Sequence, residues 1–267
     1  MLKLRILTAL ILIPLVIIGV FYTSAFYFKW ITAAIMLLAA WEWSRLCAYK
    51  NLTKRFLYVA GQAALLIFFL PYINYDGLLK LGLLFWFSLS IYLIWVGRRS
   101  QLPRINSRFV AGLGWFIVSL CWVALQKLQL TPIYLMVMLL IIWLSDTAAY
   151  VSGRLWGQHL LAPTLSPKKT WEGFIFGLLF TLCSTIVMFY FFQTLKPSFW
   201  QMGLLILLTI LAATAGDLFE SQLKRLQGLK DSGQLLPGHG GILDRIDSLL
   251  AAAPVFASSL LLLGLIL

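Results

Sequence analysis

Apolar residues fall along this chain in long runs, not in stripes. Runs of roughly 20 mostly apolar residues occupy 4–23, 25–42, 56–73, 78–96, 109–126, 132–152, 172–193, 199–219 and 246–267. A run of about that length is what an α-helix needs to cross the hydrocarbon core of a bilayer. The pattern therefore predicts an all-α, polytopic integral membrane protein of about nine transmembrane helices. Only Thr23-Ser24 separates the first two runs. Lys3 and Arg5 ahead of the first run also resemble a signal peptide, but its length and the Thr-Ser-Ala that follows favour a retained anchor. Two longer polar segments interrupt the later runs: GRLWGQHLLAPTLSPKKTWEG at 153–173 and SQLKRLQGLKDSGQLLPGHGGILDRID at 221–247.

Composition reinforces this reading. The chain is 61% hydrophobic and 11% charged over 267 residues, with a mean hydropathy of +0.92, outside the range of soluble globular domains. Cys47, Cys121 and Cys183 are isolated in apolar surroundings, so there is neither a disulfide framework nor a CxxC metal pair. A formal net charge of +12 would suggest nucleic acid in a soluble protein. In a membrane protein it reflects basic loops beside anionic lipid, and no nucleic-acid partner is expected.

The cations also give an orientation. With the N-terminus in the cytoplasm, 17 of the 21 Lys and Arg residues fall on the inner side, leaving Lys29, Lys80, Lys127 and Lys196 outside. That bias predicts N-terminus in, C-terminus out, an odd number of spans, and both polar segments in the cytoplasm. The compact chain suggests a bacterial cytoplasmic membrane. The chemistry is uneven along the sequence: 1–130 reads as scaffold and possible dimer interface, and 131–267 as the catalytic region.

Five of the nine acidic residues (Asp217, Glu220, Asp231, Asp244 and Asp247) lie between 217 and 247, interleaved with Lys224, Arg225, Lys230 and Arg245. Charge at a membrane is costly and marks function by default. Asp217, Glu220 and Lys224 share one face if helical, with a Glu220–Lys224 ion pair as the plainer reading, and Ser221 and Arg225 lie alongside. Asp244 and Asp247 sit on one face of a presumed helix start, where two carboxylates can hold Mg²⁺ with water and phosphate completing the shell. Between them and Asp231, the turn at Pro237-Gly238-His239-Gly240-Gly241 lets backbone N–H groups approach a ligand closely. His239 is a candidate base or phosphate donor. Ser166, Lys168 and Lys169, just before a helix start, suit a polyphosphate. Asp146 is an intramembrane carboxylate that either serves the site or pairs with Arg154 or Lys168.

Together these residues carry a resemblance. Ser221, Leu223, Lys224-Arg225, Lys230-Asp231, Gly233, Pro237, His239-Gly240-Gly241 and Asp244-Arg245-Ile246-Asp247 resemble the signature of the phosphatidate cytidylyltransferases, also called CDP-diglyceride synthases. SDTAAYVSGRLWG and SPKKTWEG upstream are similar to that family too. The resemblance covers about 146–257 well. It implies transfer of the cytidylyl group of CTP to phosphatidate, giving CDP-diacylglycerol and pyrophosphate. It implies catalytic roles for Asp217, Lys224, Arg225, Lys230, Asp231, His239, Asp244, Arg245 and Asp247. Substrate binding would fall to Asp146, Ser166, Lys168, Lys169, Ser221, Gly240 and Gly241. Asp217, Asp244 and Asp247 would hold Mg²⁺, one ion or two. Expected partners are CTP, phosphatidate from the bilayer, membrane lipids and a second copy of the chain as homodimer. Three other classes compete. A transporter usually keeps its charges at the midplane between related halves, and no repeat is visible here. A CTP-using polyprenol kinase would use the γ-phosphate instead. A CDP-alcohol phosphotransferase would carry a DGxxAR-type motif, which this chain lacks.

Overall fold

The computed structural model describes residues 13–99, 101–191, 197–235 and 240–266. It is a helical bundle. The helices are α1 (described over 13–21), α2 (Ala25–Leu46), α3 (Leu52–Ala64), α4 (Tyr75–Val96), α5 (Ser107–Gln129), α6 (Pro132–Trp156), α7 (Trp171–Phe191), α8 (Phe199–Leu226) and α9 (Leu243–Leu262). α3 runs on through a π turn at Leu65–Phe69 and a 3-10 turn at Leu70–Tyr72. Seven segments are long and apolar enough to cross a membrane: α2, Leu52–Tyr72, α4, α5, α6, α8 and α9. Trp171–Thr185 is a shorter apolar stretch. Residues 4–12 of the expected first span lie outside the described residues.

Several helices start earlier than the apolar runs suggest, because polar caps stand upstream of them. Asn51 accepts the Thr53 N–H at 2.8 Å, so α3 begins four residues ahead of the expected 56. Asn74 and Asn106 do the same for α4 and α5. Ser198 and Gln201 form a reciprocal capping box on α8. Each cap satisfies N–H groups that a helix start leaves without partners.

One element was not expected at all. The segment read as a loop before α7 forms a two-stranded antiparallel hairpin, β1 (Leu160–Ala162) with β2 (Ser166–Thr170). Strands expose backbone groups that lipid cannot satisfy, so this hairpin belongs at the polar end of the bundle. Glu172, at the start of α7, anchors it by accepting the Gln158 N–H at 3.1 Å and contacting His159 Nδ1 at 2.6 Å. Thr164 donates its N–H to the Gly97 carbonyl at the end of α4, at 3.3 Å.

The core forms around α9. Every residue from Leu250 to Leu260 is buried, and α9 packs against α2, α4, α5, α6 and α8. A helix buried on all sides has no polar stripe, and its Ala251-Ala252-Ala253 and Ala257-Ser258-Ser259 runs let neighbours approach closely. α2, α4 and α5 thus enclose the helix that carries Asp244 and Asp247, so residues 1–130 and 131–267 share one core. α8 comes close at Gly216, where a Cβ would overlap the Asp247 carbonyl oxygen. Gly216→Val should therefore lower unfolding stability in detergent by about 1–3 kcal/mol through overpacking. A thermal or denaturant unfolding curve unchanged from the parent would contradict this packing.

Candidate active site

The polar end of the bundle collects the C-terminal ends of α2, α4, α6 and α8, the N-terminal ends of α7 and α9, and the hairpin. Two groups of charged side chains form there, joined by α8.

The first is a cleft of about 290 Å³. Asp146 of α6, Ser166, Lys168 and Lys169 of β2, and Asp217 of α8 all line it, with Tyr150, Phe174 and Thr214 among the remaining walls. Lys169 Nζ lies 2.5 Å from Asp217 Oδ2. Asp217 Oδ1 accepts the Ser221 hydroxyl at 3.3 Å, one turn along the helix. Burial alone would pull the Lys169 ammonium down. The Asp217 carboxylate, with Asp146 and Asp247 behind it, outweighs burial and holds it above the usual lysine range. Lys169 thus keeps its positive charge beside Asp217, and Asp146 lines the same cleft.

The second group is a clasp. Lys224 Nζ lies 2.6 Å from Glu220 Oε2 and 2.7 Å from Asp244 Oδ1, so the expected Glu220–Lys224 pair is present and extends to a third residue. Asp244 Oδ2 accepts the Gly241 N–H at 2.8 Å and the Ser232 N–H at 3.0 Å. Ser232 N also lies 3.2 Å from Asp244 Oδ1. Gly240 adopts φ +81°, a conformation that favours glycine. Both oxygens of Asp244 therefore serve the folded loop and Lys224. Among the described residues, no group of three or more His, Cys, Asp or Glu side chains sits close enough to hold a metal. The expected trio of Asp217, Asp244 and Asp247 is not gathered as such a group.

Arg225, Lys230, Asp231 and Arg245 lie exposed around this end, as does Lys168. Asp231 approaches Gly240. His239 lies outside the described residues. Glu42, Arg45 and Ser232 were not singled out by their sequence context. Glu42 of α2 is 1% exposed, and its Oε2 accepts the Leu243 N–H at 2.7 Å and the Ser232 hydroxyl at 3.2 Å. Arg45 donates to the Ser232 carbonyl at 2.9 Å. The signal for Glu42 was present: it is a lone carboxylate inside an apolar run.

A helical bundle of membrane-length apolar helices with lysines and carboxylates gathered at one end defines a polytopic membrane protein with a charged cleft. The sequence profile of the cytidylyltransferase family matches residues 3–263. The phosphatidate cytidylyltransferase of Pseudomonas aeruginosa is 36% identical over 272 residues, covering 97% of each chain. That of Haemophilus influenzae is 35% identical over 282 residues, covering 96% of this chain and 98% of its own. That of Staphylococcus haemolyticus is 48% identical over 122 residues, 46% of each chain. This chain belongs to the cytidylyltransferase family.

The clasp has a direct energetic consequence. Lys224 is 12% exposed, Glu220 2% and Asp244 9%. Removing the shared cation leaves two buried carboxylates facing each other. Lys224→Met should cost about 3 kcal/mol or more of unfolding stability. Adding Glu220→Gln should recover part of that loss. Equal stability of Lys224→Met and the parent would mean the three charges are not coupled.

Proposed function

We propose that this protein transfers the cytidylyl group of CTP to phosphatidate, releasing pyrophosphate and leaving CDP-diacylglycerol in the membrane. The observation that carries this reading is the cleft of Asp146, Lys168, Lys169 and Asp217 at the polar end of the bundle, in a chain of the cytidylyltransferase family. A lipid phosphate enters such a cleft from the bilayer surface, and a nucleotide enters from water. The positive-inside bias favours that end facing the cytoplasm, where CTP is made, and the bacterial relatives suit a cytoplasmic membrane.

A phosphatidate oxygen attacks the α-phosphorus of CTP. The O–P bond to the lipid forms as the bond to the β-phosphate oxygen breaks, and pyrophosphate departs. The attacking oxygen is already ionised near neutral pH, so a strong base is unnecessary. The demand is to hold two polyanions together and offset the charge that develops on the leaving group. Lys169, kept charged by its carboxylate neighbours, sits where a phosphate would meet it. The exposed Lys168 lines the cleft, and the exposed Arg225, Lys230 and Arg245 add positive charge to the same end of the bundle. Lys224 holds Asp244 and Glu220 and shapes the loop, and Gly240 and Gly241 bring that loop's backbone close. Ser166 and Ser221 supply hydroxyl donors.

All-oxygen donors suit Mg²⁺, which is commonly bound through one or two carboxylates plus substrate phosphates. Asp217 and Asp247 would hold it, Asp217 exchanging its ion pair with Lys169 for the metal, while Asp244 keeps Lys224 and two backbone N–H groups of the loop. Bound Mg²⁺, one ion or two, would offset the repulsion between lipid and nucleotide phosphates.

Purified protein in detergent, given CTP labelled at the α-phosphate, phosphatidate and Mg²⁺, should move label into the lipid phase with stoichiometric pyrophosphate. EDTA should abolish this, and Lys169→Met should lower kcat/KM for CTP about a hundredfold, the scale of losing one charge-stabilising donor. Lipid labelled only from the γ-phosphate would replace this reading with a lipid kinase.

A further inference from the structure

α9 carries Asp244 and Asp247 in its first turns, yet its own sequence supplies no cap for them. Its N-cap position is Ile242, which makes no side-chain hydrogen bond to the helix start. A helix start leaves N–H groups without partners and is ordinarily closed by Ser, Thr, Asp or Asn. Here the partner comes from α2. Glu42 Oε2 accepts the Leu243 N–H, at the first residue of α9, at 2.7 Å. The same oxygen accepts the Ser232 hydroxyl at 3.2 Å. One turn further along α2, Arg45 holds the Ser232 carbonyl, while Asp244 receives the Ser232 N–H. Ser232 is thereby fixed through its N–H, its carbonyl and its hydroxyl.

The fit is close on both sides. A Cβ at Gly233 or at Gly241 would overlap the Glu42 carboxylate, so the backbone of the loop lies against that group at two places. A carboxylate inside an apolar span is costly to bury and costly to leave without hydrogen bonds. Its position is therefore tightly determined, and so is what it holds.

We infer that Glu42 is a positioning residue for the cytidylyl transfer: by capping α9 from α2 it sets where the first two turns of α9, with Asp244 and Asp247, stand relative to Lys224 and the cleft. It acts through other residues and does not itself touch the reacting phosphates. This inference rests on the cytidylyltransferase reading for its assay, and on the Glu42 contacts for its content. The role depends on reach. The carboxylate must extend far enough from α2 to meet Leu243, whereas its charge is secondary because a neutral amide oxygen accepts the same N–H.

That distinction gives the test. Steady-state kcat and KM for CTP are measured for the full-length protein and for Glu42→Gln, Glu42→Asp and Glu42→Ala, with thermal unfolding in the same detergent. Glu42→Gln keeps length and an acceptor oxygen, and should hold kcat within about threefold of the parent. Glu42→Asp keeps the charge but withdraws it by one methylene, and should lose kcat about tenfold or more with KM for CTP within about twofold. Displacement of a site by about 1 Å costs rate on that scale. Glu42→Ala should lose at least as much as Glu42→Asp. If Glu42→Ala does not fold, the order of Gln above Asp decides alone. The reverse order, Asp active and Gln inactive, would mean that charge and not reach matters, and would overturn the inference. So would a Glu42→Ala protein with parental kcat. A parent protein that forms no CDP-lipid would count against the functional reading, whereas a normal parent with the wrong order of variants would count against Glu42 alone.

Discussion

The ammonium of Lys224, shared between Glu220 and Asp244, is the contact on which the polar end of this molecule depends. Hydrocarbon offers no water to a charge, so each charged group near the bilayer needs a partner, and the partner's location dictates the fold around it. Lys224 and Glu220 share a helix. Asp244 stands on another, and through its second oxygen it holds the loop between them. A single cation thus connects α8, α9 and, through Asp244, the backbone at Ser232 and Gly241. Once it is placed, the side of α8 that bears Asp217 turns toward Lys169 and the hairpin, and the cleft has its floor.

The rest of the bundle meets the same constraint in several ways. At the opposite end, Lys127 of α5 pairs with Asp76 of α4 at 2.9 Å. Inside the bundle, neutral polar groups replace charges: Gln62 donates to Ser119 at 2.8 Å, and Gln126 to Thr32 at 3.0 Å. These bonds cross between helices, as do those that Trp43, Tyr58, Trp115 and Trp122 donate to backbone carbonyls of the facing helix, and together they fix rotation where dispersion alone would tolerate slippage. The apolar side chains that remain exposed, such as Phe56, Leu57, Phe87 and Phe109, face outward as a lipid-facing surface should.

Much of this was legible in the sequence, because the bilayer imposes a length on its helices and a cost on its charges. The long apolar runs gave the helices, and the interleaved acids and bases of 217–247 pointed to the end of the bundle where the charges gather. Helix starts were less legible, since caps such as Asn51 stand upstream of the apolar residues that mark the span. The hairpin escaped because Ser166-Pro167-Lys168-Lys169-Thr170 has a poor strand composition, and its pairing with Leu160–Ala162 is stabilised by contacts from α4 and α7. Asp244 was read as a metal ligand from its spacing to Asp247. Its actual partners include N–H groups of Ser232 and Gly241, which exist as a pocket only after the loop has folded. Glu42 escaped for a related reason: one acid in an apolar run says that a partner exists, but not that it lies some 200 residues away.

The burial of α9 on every side also has a consequence for how the molecule is made. A ribosome delivers α2 through α8 to the membrane before it delivers the helix they surround. Until then, the faces of α2, α4, α5 and α6 that will meet α9 have only lipid or one another to pack against, and Glu42 has no N–H to accept. Assembly of this bundle therefore resembles the closing of a ring around a late arrival more than the stacking of one hairpin on the next. The small side chains of Ala251–Ala253 and Ala257–Ser259 suit such an entry, since a slender helix can slide between neighbours already in place.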